Sequence, residues 1–408
     1  MIRWSFQVFA ALVLLSIAAG CGSSGSSIPR ESATVIATPD PTDKATERPP
    51  ATYAAPTLPP LTLLPSLPSN DLDAKTAAAL QAILNRHVET GQPDVLAAVI
   101  TPAGTWSSAA GVDGPQGRLA NPTDVFTVAS VSKTILAAAI VRLASAGTID
   151  LDSPLADYLN DLQVDSNGAT VRQALAMRSG IPDTPSQVLS DARHDCEHVW
   201  TRAEILAAMP APDNAPGTAF VYSNPTYKLL AYATEGATGR PMADVLANEV
   251  FEPLALDRIV AMSADTPAPQ PWALPIEGHG GDLPLASFGI GGTLPCLSVS
   301  TLATPALAIA SDAPTLARFG WGLFSGGLFD HDTLVEMLTP DAVGHGLGID
   351  KLPEFSADGG YGLVGHNTGY VAWLVILPEH QTVVALCIND DNARAEIVVR
   401  QLIDVLSG

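Results

Sequence analysis

The stretch Tyr370–Ile388, YVAWLVILPEHQTVVALCI, decides the fold. Tyr370–Leu377 and Thr382–Ile388 are apolar runs rich in branched side chains, and Pro378, Glu379 and His380 separate them. Short apolar runs bounded by a turn predict two neighbouring strands. Helical spacing follows over Ala393–Leu406. The other end of the domain mirrors this in reverse. A helix is predicted over Ala74–Val88, with Asp71 and Asp73 at its start. Two strands follow over Val95–Thr101 and Thr105–Gly111, joined through Pro102-Ala103-Gly104. The order helix, strand pair, long middle, strand pair, helix predicts one α+β domain over residues 70–408. Its antiparallel sheet would be closed by both ends of the chain, with the middle inserted between them.

Upstream of that domain the composition changes. Residues 1–20 combine Arg3, an apolar run over Phe6–Ala19 and the small residues Ala18, Ala19 and Gly20, which lead into Cys21. The run is shorter than the roughly 20 residues of a membrane span, so it reads as an export signal. It resembles a bacterial lipoprotein signal, in which the cysteine after the small residues is lipidated. That resemblance implies an extracytoplasmic protein held at a cell membrane by acyl chains on Cys21; the alternative is an ordinary cleaved signal. Residues 21–69 are rich in Ser, Thr, Pro and Ala. With few donors and no lasting apolar period, they predict a disordered tether.

The 408 residues carry 20 basic and 42 acidic side chains, a formal net charge of −22. This excludes nucleic acid as the expected partner, because phosphate binding needs clustered cations. Besides Cys21 there are three cysteines. Cys387 falls within a buried strand and reads as a small apolar residue. Cys196 and Cys296 lie in loop-like sequence, and export permits a disulfide between them. The neighbourhood His194-Asp195-Cys196-Glu197-His198 lacks a second ligand pair at matching distance, so no metal is expected there.

Three short motifs carry chemistry. Ser130-Val131-Ser132-Lys133 opens an apolar stretch that ends at Gly147, which reads as a buried helix with a glycine stop. Ser130 and Lys133 would share one helix face, about a turn apart. Burial lowers a lysine's pKa, and a neutral amine can activate a serine hydroxyl. Tyr222-Ser223-Asn224 precedes a second helical stretch; its tyrosine can relay a proton and its asparagine can orient a carbonyl. The similar Tyr158-Leu159-Asn160 lies in a surface-like turn and is set aside. Gly365-His366-Asn367-Thr368-Gly369 opens the penultimate strand, where glycine permits close backbone approach.

In this order, S-x-x-K, Y-x-N and H-x-x-G, the sequence resembles the serine β-lactamase and penicillin-binding-protein superfamily, in the branch with class C β-lactamases, DD-peptidases and esterases. The likeness extends to Gly147–Leu151, Ser179–Pro182, Glu235–Gly239 and Phe251–Leu254. It implies an antiparallel sheet flanked by helices plus a mainly helical lobe. It also implies Ser130 as the acylated nucleophile, Lys133 as its proton partner, Tyr222 as base or shuttle, and Asn224 as a positioning group. His366 would stand at the third motif, and the N–H groups of Ser130 and Gly369 would form the oxyanion hole. No cofactor is implied, and the substrate would be a small molecule or a peptidoglycan-like peptide. The third motif has His366 where class C β-lactamases have lysine, and Thr368 where a glycine is usual. Met177-Arg178 replaces the usual His-Thr before Ser179.

The expected function is therefore a membrane-tethered serine hydrolase acting on an ester, amide or D-amino-acid peptide. The alternatives are a β-lactamase proper, or a catalytically silent surface protein of the same fold. No G-x-S-x-G pentapeptide is present, which argues against an α/β-hydrolase. Gly360, Gly362 and Gly365 fit G-x-G-x-x-G, but a strand follows them instead of a helix.

Overall fold

The computed structural model describes residues 61–407, except 114–116, 161, 196, 263–270, 272, 274–296, 357, 358, 368, 391 and 392. The signal, Cys21, Cys196, Cys296 and most of the tether lie outside the described residues, as does Thr368. No helix among the described residues is long and apolar enough to cross a membrane.

Strands β1 (Val95–Thr101) and β2 (Gly104–Ala110) form the first hairpin. Four more strands lie near the C-terminus: β3 (Asp350–Leu352), β4 (Gly360–Asn367), β5 (Tyr370–Leu377) and β6 (Thr382–Ile388). Together they make one antiparallel sheet in the order β2-β1-β6-β5-β4-β3. The N-terminal strand therefore pairs with the last strand, Val95 opposite Ile388 and Val99 opposite Val384. Closure of the sheet by both ends of the domain follows the expectation from the apolar runs.

β1 and β6 are buried along their whole length because helices cover both faces. Alternate residues serve opposite cores. Val95, Ala97, Val99, Val384 and Leu386 join Leu80 and Leu84 of helix α1 (Ala74–Glu89) and Val399 and Leu402 of the C-terminal helix Ala395–Ser407. Leu96, Ala98, Val383, Ala385 and Cys387 face the other core, which includes Phe319 and Leu323 of the helix Ala313–Phe324. That helix lies close over the sheet at Gly320, where an added Cβ would come within 2.9 Å of Leu374. Cys387 is a buried free thiol, as its strand predicts.

Residues 61–69, which the sequence assigns to the expected tether, are described and pack against the domain. Residues 61–69 form no helix or strand, yet Leu64 is buried in the core and its N–H donates to Phe324 O at 2.9 Å. The Trp321 indole N–H donates to Pro65 O, also at 2.9 Å. The segment thus docks on the helix Ala313–Phe324 through one donor, the Leu64 N–H, and one acceptor, the Pro65 carbonyl.

Candidate active site

The site begins where the chain between the two hairpins turns back against the sheet. Val128 to Val131 close a tight turn, with Val131 N–H donating to Val128 O at 3.0 Å. Ala129 sits at φ 45°, in the left-handed region that side chains disfavour. Ser130 is thereby presented from a 3-10 turn, Ala129–Val131, and not from the first turn of the following helix as its sequence suggests. Helix α2 (Ser132–Ser145) starts just after it. Lys133 in its first turn still comes back towards Ser130.

β4 supports this turn from below. Its pairing with β3 reaches only Gly360 to Gly362, so among the described residues the rest of its outer side has no strand neighbour in the sheet. There Gly365 lies against the nucleophile turn. A Cβ on Gly365 would fall 2.3 Å from Val128 O and 3.0 Å from Ser130 N. The absent side chain is what allows the strand and the turn to meet.

Tyr222 arrives from the opposite side. Val221 N–H donates to Met177 O at 2.8 Å, and Ser223 N–H lies 3.4 Å from Met177 Sδ. Ser223 caps helix α3 (Asn224–Thr238) by accepting from Thr226 N–H at 3.1 Å, and its hydroxyl donates to Pro182 O at 3.2 Å. Met177 of the unusual Met-Arg pair thus anchors the tyrosine, while Arg178 pairs with Asp341.

The three groups close a triangle. Ser130 Oγ and Tyr222 OH are 2.6 Å apart, Lys133 Nζ is 3.0 Å from Ser130 Oγ, and Lys133 Nζ is 2.6 Å from Tyr222 OH. Lys133 is only 1% exposed. Burial lowers its pKa to about 7; the Lys228 ammonium pushes the same way, while the Asp183 and Asp350 carboxylates oppose it. Tyr222 moves in the other direction, to about 12, chiefly because its hydroxyl end is enclosed. Near neutral pH the amine can therefore take a proton and the phenol keeps its own.

Asn224 lines the same cleft, and Asp183 holds it: the Asn224 backbone N–H donates to Asp183 Oδ1 at 2.9 Å and its side-chain amide to Oδ2 at 3.3 Å. The cleft has a volume of about 180 Å³ and is lined also by Ser130, His366 and Asn367. All five expected catalytic residues thus converge, Tyr222 through its contacts with Ser130 and Lys133. Gly369 is buried at φ 81° in the two-residue connection between β4 and β5.

Other expectations fall elsewhere. Tyr158 ends a short 3-10 helix and accepts from Asp150 N–H at 2.8 Å, away from the triangle. His194 Nδ1 lies 2.7 Å from Ser190 O, and His198 lies 3.4 Å from Glu204. Among the described residues no three metal-ligating side chains cluster. Asp183 and Lys228 lie outside the three motifs and Asn367 lies within the third without an expected role; of these, Asn367 and Lys228 line the cleft. Lys228 carried a signal: it is one of five lysines in the chain and stands one helical turn after Asn224 in an apolar run.

Known proteins share this architecture. Residues 75–406 match the Beta-lactamase family. Protein flp of Staphylococcus aureus (strain COL) is 29% identical over 140 residues, 33% of this chain and 28% of that protein. A D-aminopeptidase of Brucella canis is 31% identical over 137 residues, 33% of this chain and 26% of that protein. The chain thus matches less than a third of the length of these curated relatives. Among solved structures, a D-stereospecific amidohydrolase from Streptomyces sp. superposes with a TM-score of 0.64 at 25% identity, covering 79% of this chain and 97% of that one. The D-amino acid amidase of Ochrobactrum anthropi SV3 gives 0.67 at 23% identity, with 82% and 100% covered, a likeness of fold. With the match spanning most of its length, the chain belongs to the Beta-lactamase family, a family of serine hydrolases.

Proposed function

We propose that the protein hydrolyses an amide or ester through an acyl-enzyme on Ser130. The observation that carries this reading is the Ser130–Lys133–Tyr222 triangle, with its buried lysine poised near neutrality. Lys133 takes the Ser130 proton, directly or across the Tyr222 hydroxyl, as Oγ bonds to the carbonyl carbon. The carbonyl electrons move onto oxygen, where the N–H groups of Ser130 and Gly369 would receive them. Collapse breaks the bond to the leaving group, which takes the proton back from Lys133. Water then repeats the sequence on the ester and frees Ser130.

A substrate with a D-amino acid next to the scissile bond is favoured by the D-specific activities for which the similar amidohydrolase and aminopeptidase are named. Paired D- and L-alanine p-nitroanilides test this. Faster release from the D isomer is expected, and a preference for the L isomer would contradict it. The protein is further proposed to act outside the cytoplasm, tethered through Cys21, a reading that rests on the signal-like N-terminus alone.

A further inference from the structure

Lys228 is a charged side chain that the triangle does not use. It stands on α3 one turn beyond Asn224, is only 4% exposed, and lines the same cleft as Ser130. No hydrogen bond or ion pair holds its ammonium among the described residues. Asp183 is near enough to favour the charged form, but not as a direct partner. The Asp183 carboxylate instead accepts from Asn224 N–H, the Asn224 amide and Thr184 N–H, the last at 2.7 Å. The rest of the cleft is largely apolar, with Leu189, Val299, Leu302 and Leu307 in its walls. A buried ammonium without a direct counter-ion costs free energy. In an open cleft, an incoming anion can offset that cost.

We propose that Lys228 is a specificity residue that receives a carboxylate carried by the acyl portion of the substrate. An acyl chain on Ser130 Oγ is continuous with this cleft, and its apolar walls suit methylenes between the carbonyl and a terminal carboxylate. Arg193, exposed on the helix Ser186–His194, adds a second cation to the lining. These cations act locally, within a chain whose net charge of −22 repels anions at long range. Burial lowers the Lys228 pKa to about 8, so the ammonium is still mostly charged near neutral pH, and a bound carboxylate would raise it again.

The inference rests on Ser130 being the acylated residue, and the test separates the two. The probes are p-nitrophenyl monoesters of succinate, glutarate and adipate, each compared with its terminal amide. Their kcat/KM ratios are measured in wild type and in Lys228→Met, and their Kd ratios in Ser130→Ala with and without Lys228→Met. A ratio cancels any effect of Lys228 on Lys133 that both esters share. For at least one chain length the acid is expected to be favoured about tenfold or more, with the preference lost in Lys228→Met. No preference in wild type, or one that survives the substitution, overturns the proposal. If Lys228→Met does not fold, Lys228→Gln, which keeps a polar end without the charge, is read in the same way. Failure of Ser130 to react with any ester, alongside a Lys228-dependent Kd preference, would count against the hydrolase reading and not against this one.

Discussion

Lys133 Nζ lies 2.6 Å from the Tyr222 hydroxyl, and the two groups are driven apart in acidity by the same burial. Desolvation disfavours whichever form is charged, so it lowers the lysine towards 7 and raises the tyrosine towards 12. The lysine is the group that can accept a proton at neutral pH, and the tyrosine is a hydroxyl through which one can pass.

The pH dependence of acylation follows. Only neutral Lys133 can accept the Ser130 proton, so kcat/KM for an uncharged ester should rise as pH increases through about 7 and then level off. Lys228→Met removes a positive charge that helps keep Lys133 low, and the rising limb should move to higher pH. Pseudo-first-order rates from pH 5 to 9 measure both effects. An unshifted limb in the variant would contradict the coupling.

Replacing the amine separates activity from stability. Lys133→Met should abolish turnover while leaving the melting temperature at neutral pH equal to or above that of wild type. The unfolded lysine holds its proton to about 10.5, whereas the folded one gives it up near 7. Between those values the unfolded state binds more protons, so wild-type stability should increase with pH from about 7 to 10. The cost of the charged form, fully present below about 7, is on the order of a few kcal/mol. The variant should lose the Lys133 share of this slope, most visibly between about pH 7 and 8, and keep the smaller share of Lys228, whose pKa burial lowers to about 8. Denaturant midpoints at pH 6 and 9 in both proteins check the sign.

Gly365→Ala tests how the strand carries the nucleophile. The new Cβ would meet the Val128 carbonyl and the Ser130 amide, both backbone, so the turn must move. A loss of about 1–3 kcal/mol in stability is expected, with a drop in Ser130 reactivity of about tenfold or more. Retention of full reactivity would show that the turn does not depend on this close approach.

The parts of this molecule that read plainly in sequence are those set by local pattern. Tyr370–Leu377 and Thr382–Ile388 are strands at the expected bounds because branched apolar runs ended by a turn have few other solutions. Ser130 and Lys133 stand out in sequence as a serine and a lysine one helical turn apart, and their pairing with Tyr222 and Asn224 follows from the order of motifs that the resemblance supplies. The conformation of Ser130 is not legible, since the positive φ of Ala129 and the close approach of Gly365 to this turn have no local sequence pattern. Leu64 reads as part of a tether because the helix that buries it lies some 250 residues further on. Lys228 has only a weak signal, a rare lysine in an apolar helical run, and the fold alone shows that its face is covered.

The most direct test of the central claim is the intact mass of the protein after incubation with a fluorophosphonate, followed by peptide mapping. One adduct is predicted, on Ser130, absent from Ser130→Ala and strongly slowed in Lys133→Met. Unmodified wild-type protein, or an adduct on any other serine, would contradict the account.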